Sequence, residues 1–71
     1  MPPTLTAKGK TAGLIFKLRK GKGWTQEQLA KEAKISIRAL RYYEGRVHLP
    51  SLPALRRLAD ALEVSITKLL N

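Results

Sequence analysis

The sequence predicts an all-α fold, a compact bundle of five short helices. Three observations carry that reading. Apolar residues recur at helical spacing, most clearly Leu55, Leu58, Ala59 and Leu62 at i, i+3, i+4 and i+7. Thr25, Ser36 and Ser65 each stand where a helix N-cap belongs, and each follows an apolar residue, Trp24, Ile35 or Val64, placed to staple onto Leu29, Leu40 or Leu69. No stretch reads as a strand, and no segment repeats.

Residues 1–11, MPPTLTAKGKT, mix Pro, Thr, Gly and Lys without periodicity and read as a flexible basic arm. Lys8 and Lys10 either follow a phosphate backbone or belong to an ordinary frayed terminus. Residues 12–71 form the folded domain. Its first helix is predicted at about 12–20, with Ile15 and Leu18 facing inward and Leu14 beside them. Phe16 lies off that stripe, leaving it to cover the arm, meet a partner chain or stay exposed. Gly21 and Gly23 end this helix. Thr25 caps the second, and Gln28 at the third helical position completes a capping box. Ser36 caps the third. The fourth starts near Ser51, where Pro53 is tolerated because first-turn amides have no intrahelical acceptor. The fifth, about 66–70, offers Ile66, Leu69 and Leu70.

Composition bounds what the chain does. At 71 residues it is one domain with little spare core for a buried catalytic pocket. It has no cysteine, so neither a disulfide scaffold nor a thiolate metal site is expected, in keeping with a reducing cytoplasm. His48 is the only histidine and has no carboxylate at ligand spacing, so no metal and no cofactor is expected. No apolar run approaches the roughly 18 residues of a membrane span, and no signal-peptide core opens the chain. Net charge is +9, and its distribution is uneven. Residues 1–48 hold eleven basic and three acidic side chains, a balance of +8, while residues 49–71 hold three and two, a balance of +1. A polyanion suits such an asymmetry, though many small domains are simply basic.

Residues 25–44 read as two short helices across a tight turn, a helix-turn-helix. Ala30 is the small residue at the crossing, Lys34-Ile35-Ser36 the turn, and Leu29, Ile35, Leu40 and Tyr43 the anchors. At 100° per residue, with Ile37 set at 0°, Arg41 falls at about 40°, Arg38 at about 100° and Tyr42 at about 140°. Leu40 and Tyr43 fall near 300° and 240° on the same wheel. The outward arc therefore holds two guanidiniums, a phenol and one aliphatic, suited to guanine edges, phosphates and thymine methyls in a DNA major groove. Alternatives stay open for several of these. Arg38 and Arg41 otherwise form a solvated face, Tyr42 touches the DNA backbone or is a partly buried ring, and Ile37 meets a thymine methyl or packs under the arm. Arg46 and His48 sit in a loop able to approach phosphates. Lys17, Lys20 and Lys22 form a general basic fringe, and Arg56-Arg57 either a solvated face or one turned to a partner.

Residues 14–70 resemble the lambda-repressor/Cro-type (XRE) helix-turn-helix domain. The resemblance rests on LR at 18–19, TQEQLA at 25–30, Ile35-Ser36, Glu44, Pro50-Ser51-Leu52 and LADALEVSITKLL at 58–70. It implies a five-helix lambda-repressor-like fold in which Gln26 touches a backbone phosphate and Ser36, Ile37, Arg38 and Arg41 take base-reading positions. It also implies that Arg19 and Glu44 bridge the first and third helices, and that members act as homodimers on two-fold symmetric operators. Two departures stand out. The family commonly has Gly where this chain has Lys34, which implies a left-handed residue at some cost. Gly also usually follows the glutamate by two residues, whereas here Gly45 follows directly and Arg46 takes the later place. Locally, residues 29–50 also resemble the DNA-reading segment of MerR-type regulators, but the helix preceding that segment, with no wing or long coiled coil after it, favours the first resemblance.

The expected function is therefore that of a sequence-specific transcriptional regulator of a bacterium or phage, cytoplasmic and nucleoid-associated. It would bind a palindromic operator in double-stranded DNA as a homodimer. The expected DNA-binding residues are Gln26, Ser36, Ile37, Arg38, Arg41, Tyr42 and Arg46. Neither enzyme activity nor a small-molecule ligand is expected. Phage repressors, restriction–modification controllers and antitoxins share this minimal build. A competing reading is a protein-interaction module, an antitoxin or bridging factor with DNA secondary, supported by Leu14, Phe16 and the last helix.

Overall fold

The computed structural model describes residues 7–70, and within them five helices: α1 (Ala7–Gly21), α2 (Gln26–Ala33), α3 (Ile37–Glu44), α4 (Leu52–Leu62) and α5 (Ile66–Leu70). There is no strand among the described residues, so no wing follows α3 as the MerR-like resemblance would require. Helix α2 packs on α3 and α4, while α5 closes against α4 and α1. The core at their junction is Ile15, Leu29, Ala30, Ala33, Leu40, Leu55, Leu58, Ala59, Leu62 and Leu69. Leu14 and Leu18 of α1 flank it, half-buried.

Helix α1 starts at Ala7, not near residue 12. The expected arm over 1–11 is thus helical from 7 onward; residues 1–6 and the side chain of Lys8 lie outside the described residues. Small residues explain the difference. Thr11 and Ala12 are each 2% exposed, and the Thr11 hydroxyl donates to the Leu69 carbonyl at 3.0 Å. That carbonyl, in the last turn of α5, has no acceptor role within its own helix, so the bond fills a vacancy and ties the first helix to the last.

One joint recurs at the helix ends. After α1, Gly23 turns left-handed (φ 73°), its amide donates to Lys20 O and the next amide, Trp24, to Arg19 O. Lys34 (φ 59°) does the same after α2, with Ile35 donating to Ala30 O, and Glu63 (φ 60°) after α4, with Val64 donating to Ala59 O. Each is the Schellman pattern, in which a left-handed residue satisfies orphan carbonyls and the next, apolar residue turns inward. Here that apolar residue also precedes the following N-cap. Trp24, Ile35 and Val64 all pack against the core, and Thr25, Ser36 and Ser65 accept amides from the first turns of α2, α3 and α5. One side chain thus closes one helix and opens the next, which fixes the angle between them. The Thr25–Gln28 capping box forms, with Gln28 Oε1 accepting from Thr25 N at 2.8 Å.

Candidate nucleic-acid interface

Leu40 is fully buried and Tyr43 half-buried, so the inward face of α3 is centred between them, at about 270° on the wheel set out above. Arg38 stands about 170° from that centre, diametrically outward. Arg41 and Tyr42 lie on either side of Arg38, each about 130° from the inward centre. All three are exposed, and among the described residues neither Arg38 nor Arg41 is in an ion pair. Two guanidiniums and a phenol therefore crown a helix whose packing does not involve them.

Ile37 departs from expectation. It is half-buried and packs against the core rather than standing on the open arc. It sits only about 90° from the inward centre, at the boundary of the face, where an aliphatic gains more by packing than by exposure. Ser36 is exposed, but its Oγ accepts from Ala39 N at 3.0 Å, so its role as helix cap occupies one lone pair and leaves its O–H to donate.

Gln26 opens α2 and is half-buried. Its Nε2 donates to Glu44 Oε1 at 3.0 Å, which leaves one amide hydrogen and Oε1 for an outside partner. Glu44 is the centre of a three-helix knot. Arg19 of α1 donates through Nε to Glu44 Oε2 at 2.7 Å and through Nη2 to Oε1 at 3.0 Å, and its Nη1 donates to Trp24 O at 2.8 Å. The two side chains are 9% and 5% exposed. The last residue of α3 is thus locked to the first of α2, which fixes Gln26 relative to the Arg38 face. Beside it an open groove of about 440 Å³ is lined by Arg19, Lys20, Gly23, Trp24, Thr25 and Gln26.

The loop after α3 carries Arg46 and His48, both exposed. Arg46 adopts φ 63°, donating to Tyr43 O, with Val47 N to Tyr42 O, so a fourth Schellman turn ends α3. Gly45 serves a different need, because a Cβ there would lie 2.9 Å from Arg41 O. Arg46, standing where the family usually carries glycine, thus takes the left-handed conformation itself. Among the contacts that sequence reasoning missed is His48 against Tyr42, ring centroids 5.2 Å apart at 80°. No spacing rule links a loop histidine to a helix tyrosine six residues earlier.

A helix-turn-helix family model matches residues 15–69. The cryptic phage CTXphi transcriptional repressor RstR of Vibrio cholerae is 43% identical over 51 residues, 72% of this chain; the chain spans 46% of that repressor's length. The crystal structure of a hypothetical transcription factor, NHTF, from Neisseria superposes with a TM-score of 0.89 at 25% identity, covering all of this chain and 82% of the other. With the five-helix architecture and the matched residues both in place, the chain belongs to the helix-turn-helix family of lambda-repressor/Cro (XRE) type.

Proposed function

We propose that the chain is a sequence-specific DNA-binding transcriptional regulator that binds a palindromic operator as a homodimer, with α3 in the major groove. The observation that carries this reading is the outward trio Arg38, Arg41 and Tyr42 on a helix fully anchored without them. Arg38 and Arg41 read base edges, at about 1–3 kcal/mol of discrimination per good bidentate contact. Ser36, whose O–H remains free to donate, reaches a base edge beside them, while Gln26 binds a backbone phosphate and Arg46 adds another from the loop. The exposed apolar side chains Val47, Leu49 and Leu52, within a run from 47 to 55 that holds no Lys, Arg, Asp or Glu, support meeting a second copy there. The repressor name of the phage relative supports the regulatory role.

The test is binding to duplexes recovered from a random pool, measured against salt. Log affinity should fall linearly with log salt at a slope of about −0.9 per phosphate contacted. Arg38→Ala should cut sequence preference by about 5- to 150-fold, the share of one bidentate contact, while its unfolding midpoint stays at that of the wild type. A second reading, a protein-interaction module, draws on Phe16 and Leu70, 48% and 50% exposed. Tight capture of a protein with salt-insensitive or absent DNA binding would favour it.

A further inference from the structure

We propose that His48 is a positioning residue for Tyr42, holding its phenol in one orientation on the outward side of α3. This rests on the reading of α3 as the DNA-contacting helix. Tyr42 is 40% exposed, and an open tyrosine on a helix face exchanges rotamers in picoseconds to nanoseconds. Ordering such a ring only on binding costs affinity.

Here the loop returns over the ring. The Tyr42 carbonyl accepts from Val47 N at 2.9 Å and from His48 N at 3.5 Å, so the backbone at 47–48 is tied to the residue whose side chain it covers. The tie depends on the left-handed turn at Arg46 and on the absent side chain of Gly45, described above. It delivers the His48 ring to Tyr42 in an edge-to-face arrangement, the geometry favoured by aromatic quadrupoles. Both rings are exposed and neither belongs to the core, so the pairing serves the outer surface rather than the packing beneath it.

The test is a double-mutant cycle on the full chain, using a duplex recovered from a random pool by the wild type. Tyr42→Ala and His48→Ala should each weaken binding, His48→Ala by about 2- to 10-fold, the range an aromatic pair supports. The double variant should bind no more weakly than Tyr42→Ala alone. His48→Phe, which keeps a ring and has no ionisable group, should return affinity to within about 2-fold of wild type, which a phosphate contact by the imidazole would not allow. Additive effects, or no rescue by His48→Phe, overturn the proposal. Arg38→Ala on the same duplex separates the two failures. If it weakens binding while His48 and Tyr42 act additively, only the role of His48 is lost. If Arg38→Ala and Tyr42→Ala both leave binding unchanged, α3 does not read DNA and both readings fall.

Discussion

Arg19 and Glu44 form an ion pair with almost no access to water, whereas Lys22 and Glu63 meet at 3.0 Å with the glutamate side chain 78% exposed. Burial and a two-point contact set the first pair apart from the second. Removing one partner of a buried pair strands the other charge and costs about 3–5 kcal/mol, while an exposed pair contributes about 0–1 kcal/mol. Glu44→Ala should therefore lower the urea midpoint severely and Glu63→Ala barely, and Arg19→Met/Glu44→Leu should recover most of the loss. Equal shifts for the two single variants would contradict this. Residue-level chemistry was partly legible. The Arg19–Glu44 bridge followed from the family resemblance and is present, but the third partner, Gln26, was assigned to phosphate alone, because pairwise reasoning does not show that one carboxylate oxygen accepts from both. Ile37 was misplaced for a simpler reason: a residue about 90° from the inward face belongs to neither side by angle, and only packing decides.

Helix ends in this chain are fixed by a three-residue joint of left-handed residue, apolar residue and Thr or Ser, found at 23–25, 34–36 and 63–65. The caps and staples were readable because they use side chains. The left-handed residue was foreseen at Lys34, by departure from the family; Gly23 was read only as a helix end, and Glu63, whose side chain gives no sign of its backbone, gave no signal. The early start of α1 escaped notice because Thr11 and Ala12 do in that helix what large apolar residues do elsewhere. A left-handed conformation costs a non-glycine residue about 1–2 kcal/mol. Lys34→Gly should therefore stabilise the domain by up to about 1 kcal/mol, raising the midpoint of thermal unfolding by about 4–8 °C for a domain of this size. Ser36→Ala should act oppositely, losing about 1 kcal/mol with the Ala39 amide bond. Calorimetry on the two variants checks both signs, and a midpoint lowered by Lys34→Gly would show that the left-handed turn carries no strain.

At the scale of the whole molecule, a charge of +9 on 71 residues favours a polyanion and opposes self-association. Two copies of such a chain meet most easily where charge is sparse, and residues 47–55 are its longest run without Lys, Arg, Asp or Glu. Leu52, 56% exposed, stands in that run as the first residue of α4, immediately after the Ser51 cap. This position separates assembly from folding. An aspartate in the first turn of a helix is favoured by the helix dipole by about 0.3–1 kcal/mol, so Leu52→Asp should not weaken the isolated domain. In the proposed homodimer, however, the two-fold axis would bring two such carboxylates into an apolar contact, at a desolvation cost the wild type does not bear. Leu52→Asp should thus sediment as a monomer at concentrations where the wild type is dimeric. It should bind a single half-site as the wild-type monomer does and lose the gain in affinity on a two-half-site duplex. If Leu52→Asp stays dimeric with an unchanged two-site advantage, the copies meet elsewhere on the surface, and Leu70 of α5, 50% exposed, is the next side chain to replace.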